Sequence, residues 1–250
     1  MTLFRRRNFY MANHYFKFKQ FTIQQDACAM KVTTDACLFG AWVANKIQSL
    51  DLKEKHLLDI GAGTGLLSLM VAQQSDAKID AVEIETAAAI QAQQNFEQSP
   101  WNNRLFLNNS SIQNFIPRYK YDFIFTNPPF FFNDLKSENQ ERNIALHATF
   151  LNLDELLQSI VNQLNENSYF AILLPNNRVE EFVNFAKQYS FYLAEIMHVK
   201  QTENHNYFRS MLLFSNQING KLMESEIAIK IDNQYSNEFV ELLKTYYLYL

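Results

Sequence analysis

Along this chain, short apolar runs take turns with longer segments whose apolar positions recur at helical spacing. Residues 56–60 read as a short strand, 65–74 as a helix, 79–83 as a strand ending in an acid, and 85–98 as an Ala/Gln-rich helix stopped by Pro100. A third strand at 105–107 and a fourth at 121–126 follow, then a helix at 153–164, a strand at 169–174 and a helix at 179–189. Such alternation predicts a parallel sheet covered on both faces. Beyond it the pattern changes. Residues 192–200 and 211–214 read as neighbouring strands with a polar connection, 226–231 as a further candidate strand, and 237–250 as an aromatic-rich closing helix. An antiparallel end on a parallel sheet fits that change.

Ahead of the alternating region, Phe16, Phe18 and Phe21 interleave with Lys17, Lys19 and Gln20, which reads as a strand or extended hairpin arm. Residues 34–47 read as a helix with Leu38, Trp42 and Ile47 among its buried positions and Thr34 or Asp35 as N-cap. No linker or internal repeat interrupts the chain. The expectation is a single domain, with an arm and helix at 1–50 packed on a core at 51–250. Ligands of such sheets bind outside the carboxyl ends of the strands, which makes the residues there the candidates for chemistry.

At 48% hydrophobic and 14% aromatic over 250 residues, the chain can bury a substantial core, which excludes wholesale disorder. Two cysteines, Cys28 and Cys37, make no disulfide framework and suggest a reducing, cytoplasmic setting. No apolar run approaches the ~20 residues of a membrane span. No apolar region with a cleavage site follows Arg5, Arg6 and Arg7, and Met11 offers an alternative start. The net charge of −4 is uneven: the first 25 residues carry five basic residues and no acid, leaving 17 basic and 26 acidic residues elsewhere. A basic arm on an acidic body is either a local phosphate-binding patch or a solvated terminus.

The chain holds only five glycines and five prolines. Average usage is about 7% and 5%, so each cluster needs a reason. Gly61, Gly63 and Gly65 stand in Asp59-Ile60-Gly61-Ala62-Gly63-Thr64-Gly65, between the 56–60 strand and the next helix. Glycines there let backbone approach a ligand and adopt positive φ. The spacing is GxGxG, not the dinucleotide fingerprint, and no Lys-Ser/Thr of a phosphate loop follows. An acid before the loop suits an amine-bearing ligand. Glu83 ends the next strand, where a carboxylate can accept both hydroxyls of a ribose. These features describe a site for S-adenosylmethionine, with Asp59 on the ammonium side and Glu83 on the ribose. The competitors are a nicotinamide site and a plain strand–helix turn with a surface Glu.

Asn127-Pro128-Pro129-Phe130 follows the 121–126 strand. Proline fixes φ and removes an N–H, leaving local carbonyls to face a ligand. The Asn127 amide oxygen and the Pro128 carbonyl can each accept a hydrogen from one planar NH₂ group. An exocyclic amine conjugated to a ring is a poor nucleophile, and two such acceptors aim its lone pair at a methyl donor. No strong base is needed, so catalysis is positioning and electrostatics. Asn127, Pro128 and Phe130 are the catalytic candidates, and Asn127 also borders the cofactor. Phe130 offers a stacking face for a base, worth about 1–3 kcal/mol. The competing reading is a strand-ending turn with a buried Phe.

The Asp59–Gly65 loop, Glu83 and the NPPF segment resemble class I S-adenosylmethionine-dependent methyltransferases acting on amino groups. That resemblance implies a Rossmann-like α/β fold: a seven-stranded, mostly parallel sheet with an antiparallel C-terminal end and a short N-terminal extension. Residues 16–21, 26–35, 38–42, 92–95, 98–101 and the end from 235 through 250 are similar to the bacterial tRNA(Val) adenine-N(6)-methyltransferases, a resemblance that covers nearly the whole chain from Tyr15 on. This narrower resemblance implies methylation of the 6-amino group of the adenosine 3′ to the anticodon in valine tRNA. Such an unpaired base is cheaper to extrude than a duplex base. No metal or membrane is expected; the sequence does not give the oligomeric state, and a monomer is favoured. The family often has an Asp against the cofactor adenine where this chain reads Asn109-Ser110-Ser111-Ile112; Ser111 or the Ile112 amide is expected to substitute. Thr34 and Asp35 are implied to fold over the methionine end, with helix capping as the alternative. The family's Ala-Arg-His is here Ala145-Leu146-His147, which leaves His147 as a candidate RNA contact.

Two other functions stay open on sequence. One keeps the fold and acts on a guanine amino group of rRNA or a glutamine amide of a protein. The other is an RNA-binding protein without turnover. Zinc spacing, the deaminase signature and a GxSxG elbow are absent.

Overall fold

The computed structural model describes residues 13–50, 52, 55–129, 153–217 and 220–250. Its elements run β1 (Tyr15–Lys17), β2 (Thr22–Gln24), α1 (Thr34–Ser49), β3 (His56–Ile60), α2 (Leu66–Gln74), β4 (Lys78–Glu83), α3 (Thr86–Glu97), β5 (Leu105–Asn109) and β6 (Tyr121–Thr126). Then come α4 (Leu153–Gln163), β7 (Leu164–Pro175), α5 (Val179–Gln188), β8 (Tyr192–Thr202), β9 (Tyr207–Ser215), β10 (Met223–Ile231), β11 (Gln234–Tyr235) and α6 (Asn237–Leu243).

Among the described residues the main sheet has nine strands, in the order β11-β10-β8-β9-β7-β6-β3-β4-β5. The neighbours from β7 to β5 pair in parallel. Strand β9 runs antiparallel between β7 and β8. The sheet is two strands wider than the seven implied by the resemblance: β10 contains the 226–231 candidate strand, and β11 is additional. Strand β10 pairs in parallel with β8, and Asp232-Asn233, both at positive φ, turn β11 back against it. Asp and Asn tolerate that left-handed conformation, which a two-residue hairpin demands.

Period-two alternation sorts the sheet into two cores. Leu57, Phe123, Phe125, Ala171 and Leu173 face the cluster shared with α1 and α2. Leu58, Ile124, Phe170 and Ile172 face the cluster shared with α4 and α5. All six residues of β6 are buried, as expected for a parallel strand covered on both faces. The strand ends that matter are level with one another: Ile60 is paired with both Val82 and Thr126, and Glu83 with Asn109. Thr126 Oγ1 donates to the Ile60 carbonyl at 2.8 Å, locking the ends of β3 and β6 together.

The N-terminal segment packs onto this core. Phe18, Phe21 and Ile23 belong to the same buried cluster as α1 and α2. Helix α1 runs parallel to α2. A Cβ at Gly40 would stand 2.7 Å from Met70 Sδ, and further along Gln48 Nε2 donates to the Gln74 carbonyl at 2.6 Å. The first turns of both helices therefore lie at the carboxyl end of the sheet.

Two local expectations are corrected. The N-cap of α1 is Thr33, not Thr34 or Asp35; its hydroxyl accepts from the Ala36 amide and its carbonyl from the Cys37 amide. The closing helix stops at Leu243 instead of reaching 250. The N-terminal arm claims the backbone beyond: Lys19 N donates to the Tyr246 carbonyl at 2.8 Å, and Phe18 bridges to Tyr247.

One buried side chain joins the arm to the glycine turn. Asn95 Oδ1 accepts from Gln24 N at 2.9 Å, while Nδ2 donates to the carbonyls of Gln24 and Thr64 at 3.0 and 2.9 Å. Asn95→Ala leaves these backbone groups without their partner, and each such buried group costs about 1–3 kcal/mol. Urea unfolding is expected to show a loss of about 3 kcal/mol, with faster hydrogen exchange at the Gln24 amide.

Candidate functional site

The carboxyl ends of β3, β4, β5 and β6 form one continuous edge, and most of the expected site residues stand on it. Between β3 and α2 the chain turns through Gly61, Gly63 and Gly65 at φ of +74°, +56° and +80°. The amides of Gly61 and Ala62 donate to the Val82 carbonyl at 2.8 and 3.1 Å. The three glycines have different reasons. A Cβ at Gly65 would stand 2.5 Å from Phe96 Cε1, so Gly65 permits close packing of α3. A Cβ at Gly61 or Gly63 would meet nothing within 4 Å, so these two border open space.

Glu83 lies beside that space and is 8% exposed. Its Oε2 accepts from Gly63 N at 2.8 Å and its Oε1 from Glu85 N at 2.9 Å. Each oxygen keeps acceptor capacity for a further donor. The N-terminal arm closes in from the other side: Gln91 Oε1 accepts from Ala27 N at 3.1 Å. Burial, with the carboxylates of Glu83, Glu85 and Asp26, pushes the Cys28 thiol up to about 12.

Asp59 is fully buried. Its Oδ2 accepts from Ser68 Oγ at 2.7 Å, and its Oδ1 has no partner among the described residues. Burial raises its carboxyl to about 7, against the opposing hydrogen bonds from Ser68, and the nearby Glu83 charge adds to the rise. At the end of β6, Asn127 Oδ1 is likewise buried without a partner. Neighbouring Pro128 is buried and has no N–H to offer it. Buried polar atoms are almost always paired, so such orphans point to a missing ligand or water.

A third orphan escaped the sequence reading. Ser110 Oγ, just past the end of β5, is buried and unpartnered, whereas the Ser111 carbonyl accepts from the Asn114 amide and the Ile112 side chain lies in the core. The clue was the position of the strand end: β5 runs to Asn109, two residues beyond the expected 107. Asn109 Nδ2 then donates to the Glu83 carbonyl at 2.9 Å and holds the two strand ends together.

Thr34 and Asp35 stand in the first turn of α1, at the same end of the sheet. Asp35 Oδ2 accepts from Arg209 Nε at 2.9 Å, and no described hydrogen bond joins either residue to the glycine turn or Glu83. Phe130 and the 145–147 segment with His147 lie outside the described residues. Among the described residues, no group of three His, Cys, Asp or Glu side chains is placed to hold a metal ion. No described helix is long and apolar enough to cross a membrane.

The residues present fit S-adenosylmethionine. The bare faces of Gly61 and Gly63 leave room for a ligand, the orphaned acceptor on Asp59 suits an ammonium, and Glu83 has lone pairs for a ribose. Fold and cradle define a class I α/β methyltransferase. The family described as Methyltransferase small domain matches residues 42–173. A Dyadobacter fermentans protein named tRNA1(Val) (adenine(37)-N6)-methyltransferase is 42% identical over 241 residues, covering 94% of this chain and 98% of that protein. A Christiangramia forsetii protein of the same name is 39% identical over 246 residues, covering 96% and 100%. Among solved structures, a predicted O-methyltransferase of Agrobacterium tumefaciens superposes with a TM-score of 0.65 at 14% identity, covering 84% of this chain and 96% of that one. The chain belongs to the tRNA1(Val) (adenine(37)-N6)-methyltransferase family.

The raised Asp59 carboxyl has a signed consequence for stability. Between its ordinary value of 3.8 and about 7 the folded state holds the proton more tightly than the unfolded state. This group therefore lowers stability as pH rises through that window, and the loss levels off above about 7. Asp59→Asn, which never ionises, is expected to match the native chain near pH 4 and to exceed it near pH 8. Denaturant titrations across that range check the difference.

Proposed function

We propose that this protein transfers a methyl group from S-adenosylmethionine to the 6-amino group of the adenosine on the 3′ side of the anticodon in valine tRNA. The observation that carries this reading is the buried, unpartnered Asn127 Oδ1 at the end of β6, one strand away from the open faces of Gly61 and Gly63. On this reading Gly61, Gly63, Asp59 and Glu83 hold the cofactor, and Ser111, the Ile112 amide and Ser110 Oγ face its adenine. Thr34 and Asp35 close its methionine end, because α1 runs parallel to α2 and brings its first turn to the same edge. When bound, S-adenosylmethionine supplies an electrophilic methyl group.

The chain's own part is to prepare the amine. Asn127 Oδ1 and the Pro128 carbonyl each accept one of its hydrogens, which draws its lone pair out of conjugation with the ring. Rigid proline backbone keeps both acceptors in place without reorganisation, the condition under which electrostatic stabilisation is strongest. Phe130 stacks on the base and fixes its plane. The methylated nitrogen is acidic and releases its proton to water, so no side chain has to act as a base. The partner is an anticodon loop, whose unpaired bases can be turned out into such a site. The setting is the cytoplasm, and the acting species a monomer.

Mass spectrometry of digested tRNA from cells with and without the gene tests the reading directly. The expected result is loss of one methylated adenosine from valine tRNA; an unchanged profile overturns it. In the purified protein, Asn127→Ala is expected to lower kcat by about 10²–10³-fold, the scale for one lost preorganised contact. Calorimetry is expected to find its S-adenosylmethionine affinity within a few-fold of the native value. Near-native turnover in that variant sinks the amine clamp.

A further inference from the structure

A groove of about 350 Å³ lies on the carboxyl edge of the sheet, between the first turn of α1 and the ends of β8 and β10. Thr33, Asp35, Gln201, Phe208, Lys230 and Tyr235 line it. All six fall outside the 42–173 stretch matched by the general methyltransferase family. The parts this chain adds to that stretch therefore build a concave surface on the edge that carries Asn127. Four strand steps separate β6 from β10, about 19 Å at the usual strand spacing.

The chemistry of the groove fits one kind of occupant. Phe208 and Tyr235 supply aromatic surface: Tyr235 backs on Phe239, stacked at 4.5 Å, and Arg209 lies over the Phe208 ring at 5.7 Å. Lys230 is exposed, its Nζ lies 5.6 Å from the Tyr235 ring centre, and it has no carboxylate in ion-pair range among the described residues. The lining acid is neutralised: Asp35 is paired to Arg209 at 2.9 Å. Nearby Glu226 is paired to Lys200 at 3.0 Å. The charge left uncancelled in the lining is positive, and the exposed Gln201 amide adds a donor and an acceptor. Aromatic faces beside a lone cation and an amide match an unpaired nucleotide, with its base stacked and its phosphate at the ammonium.

We propose that this groove docks a second, unmethylated nucleotide of the RNA strand whose adenosine reaches Asn127; the proposal rests on the RNA-acceptor reading above. Base contacts here and phosphate contact at Lys230 set the register of the loop, so that one adenosine and no other arrives at the clamp.

Lys230→Glu combined with Gln201→Glu tests this, because both side chains are exposed. An unmodified valine tRNA transcript is the probe. The double variant is expected to raise the KM for the transcript by at least about 10-fold and to reduce the salt slope of binding by about one. Its melting temperature and S-adenosylmethionine affinity stay native, and Lys230→Arg keeps the native KM. A transcript carrying photoreactive uridine in the anticodon loop is expected to cross-link to peptides holding Phe208 or Tyr235. Unchanged KM and salt slope in the double variant, with the native enzyme methylating the transcript, overturn the groove alone. Cross-links confined to other surfaces do the same. No methyl transfer by the native enzyme overturns the RNA-acceptor reading and this proposal with it.

Discussion

The Glu83 carboxylate at the end of β4 holds the site in shape. One oxygen accepts the Gly63 amide and the other the Glu85 amide, so the glycine turn after β3 and the chain leaving β4 hang on the same group. Hydrogen bonds to a charged acceptor are roughly twice as strong as neutral ones. Asn109 extends the brace to β5 through the Glu83 carbonyl, and Asn95 ties the turn to the N-terminal arm. Without these ties a segment with three positive-φ glycines within five residues would be the most pliable part of the fold.

Around that satisfied frame stand unsatisfied groups. Asp59 Oδ1, Ser110 Oγ and Asn127 Oδ1 are all buried near strand ends on one edge, and none has a partner among the described residues. A fold tolerates such groups where ligand atoms complete them. Hydrogen-bonded support and unmet hydrogen-bonding capacity thus share one edge, at the ends of β3, β5 and β6.

The parts legible in the sequence are those where punctuation is strong. Gly61, Gly63 and Gly65 after an apolar run, and Asn127-Pro128 after a fully buried β6, mark strand ends without ambiguity, because parallel strands read as continuous apolar runs. Ser110 is not legible in the sequence because choosing between adjacent serines requires the residue at which β5 ends, and periodicity does not fix a strand end to one residue. The first three residues of β10 are not legible in the sequence because Met223, Glu224 and Ser225 are all exposed, and a buried alternation begins only at Ile227 and Ile229. The ion pair between Asp35 and Arg209 joins positions 174 residues apart, a contact that no local pattern encodes. The overlong closing helix has the same origin: local propensity favours helix to the end, while the distant Lys19 and Phe18 take the backbone of Tyr246 and Tyr247.

The hairpin that adds β11 also decides how the sheet meets other chains. An outer strand with free amides and carbonyls invites a strand from a second molecule. Here β11 occupies the last two positions of β10, Lys230 and Ile231, and Glu224 and Glu226 stud the rest of that strand with exposed charge. Short partners and charged side chains are the devices by which sheet edges resist adding a foreign strand. That flank of the molecule is accordingly ill suited to polymerising through its backbone, and the sheet can end there without a protein neighbour to finish it.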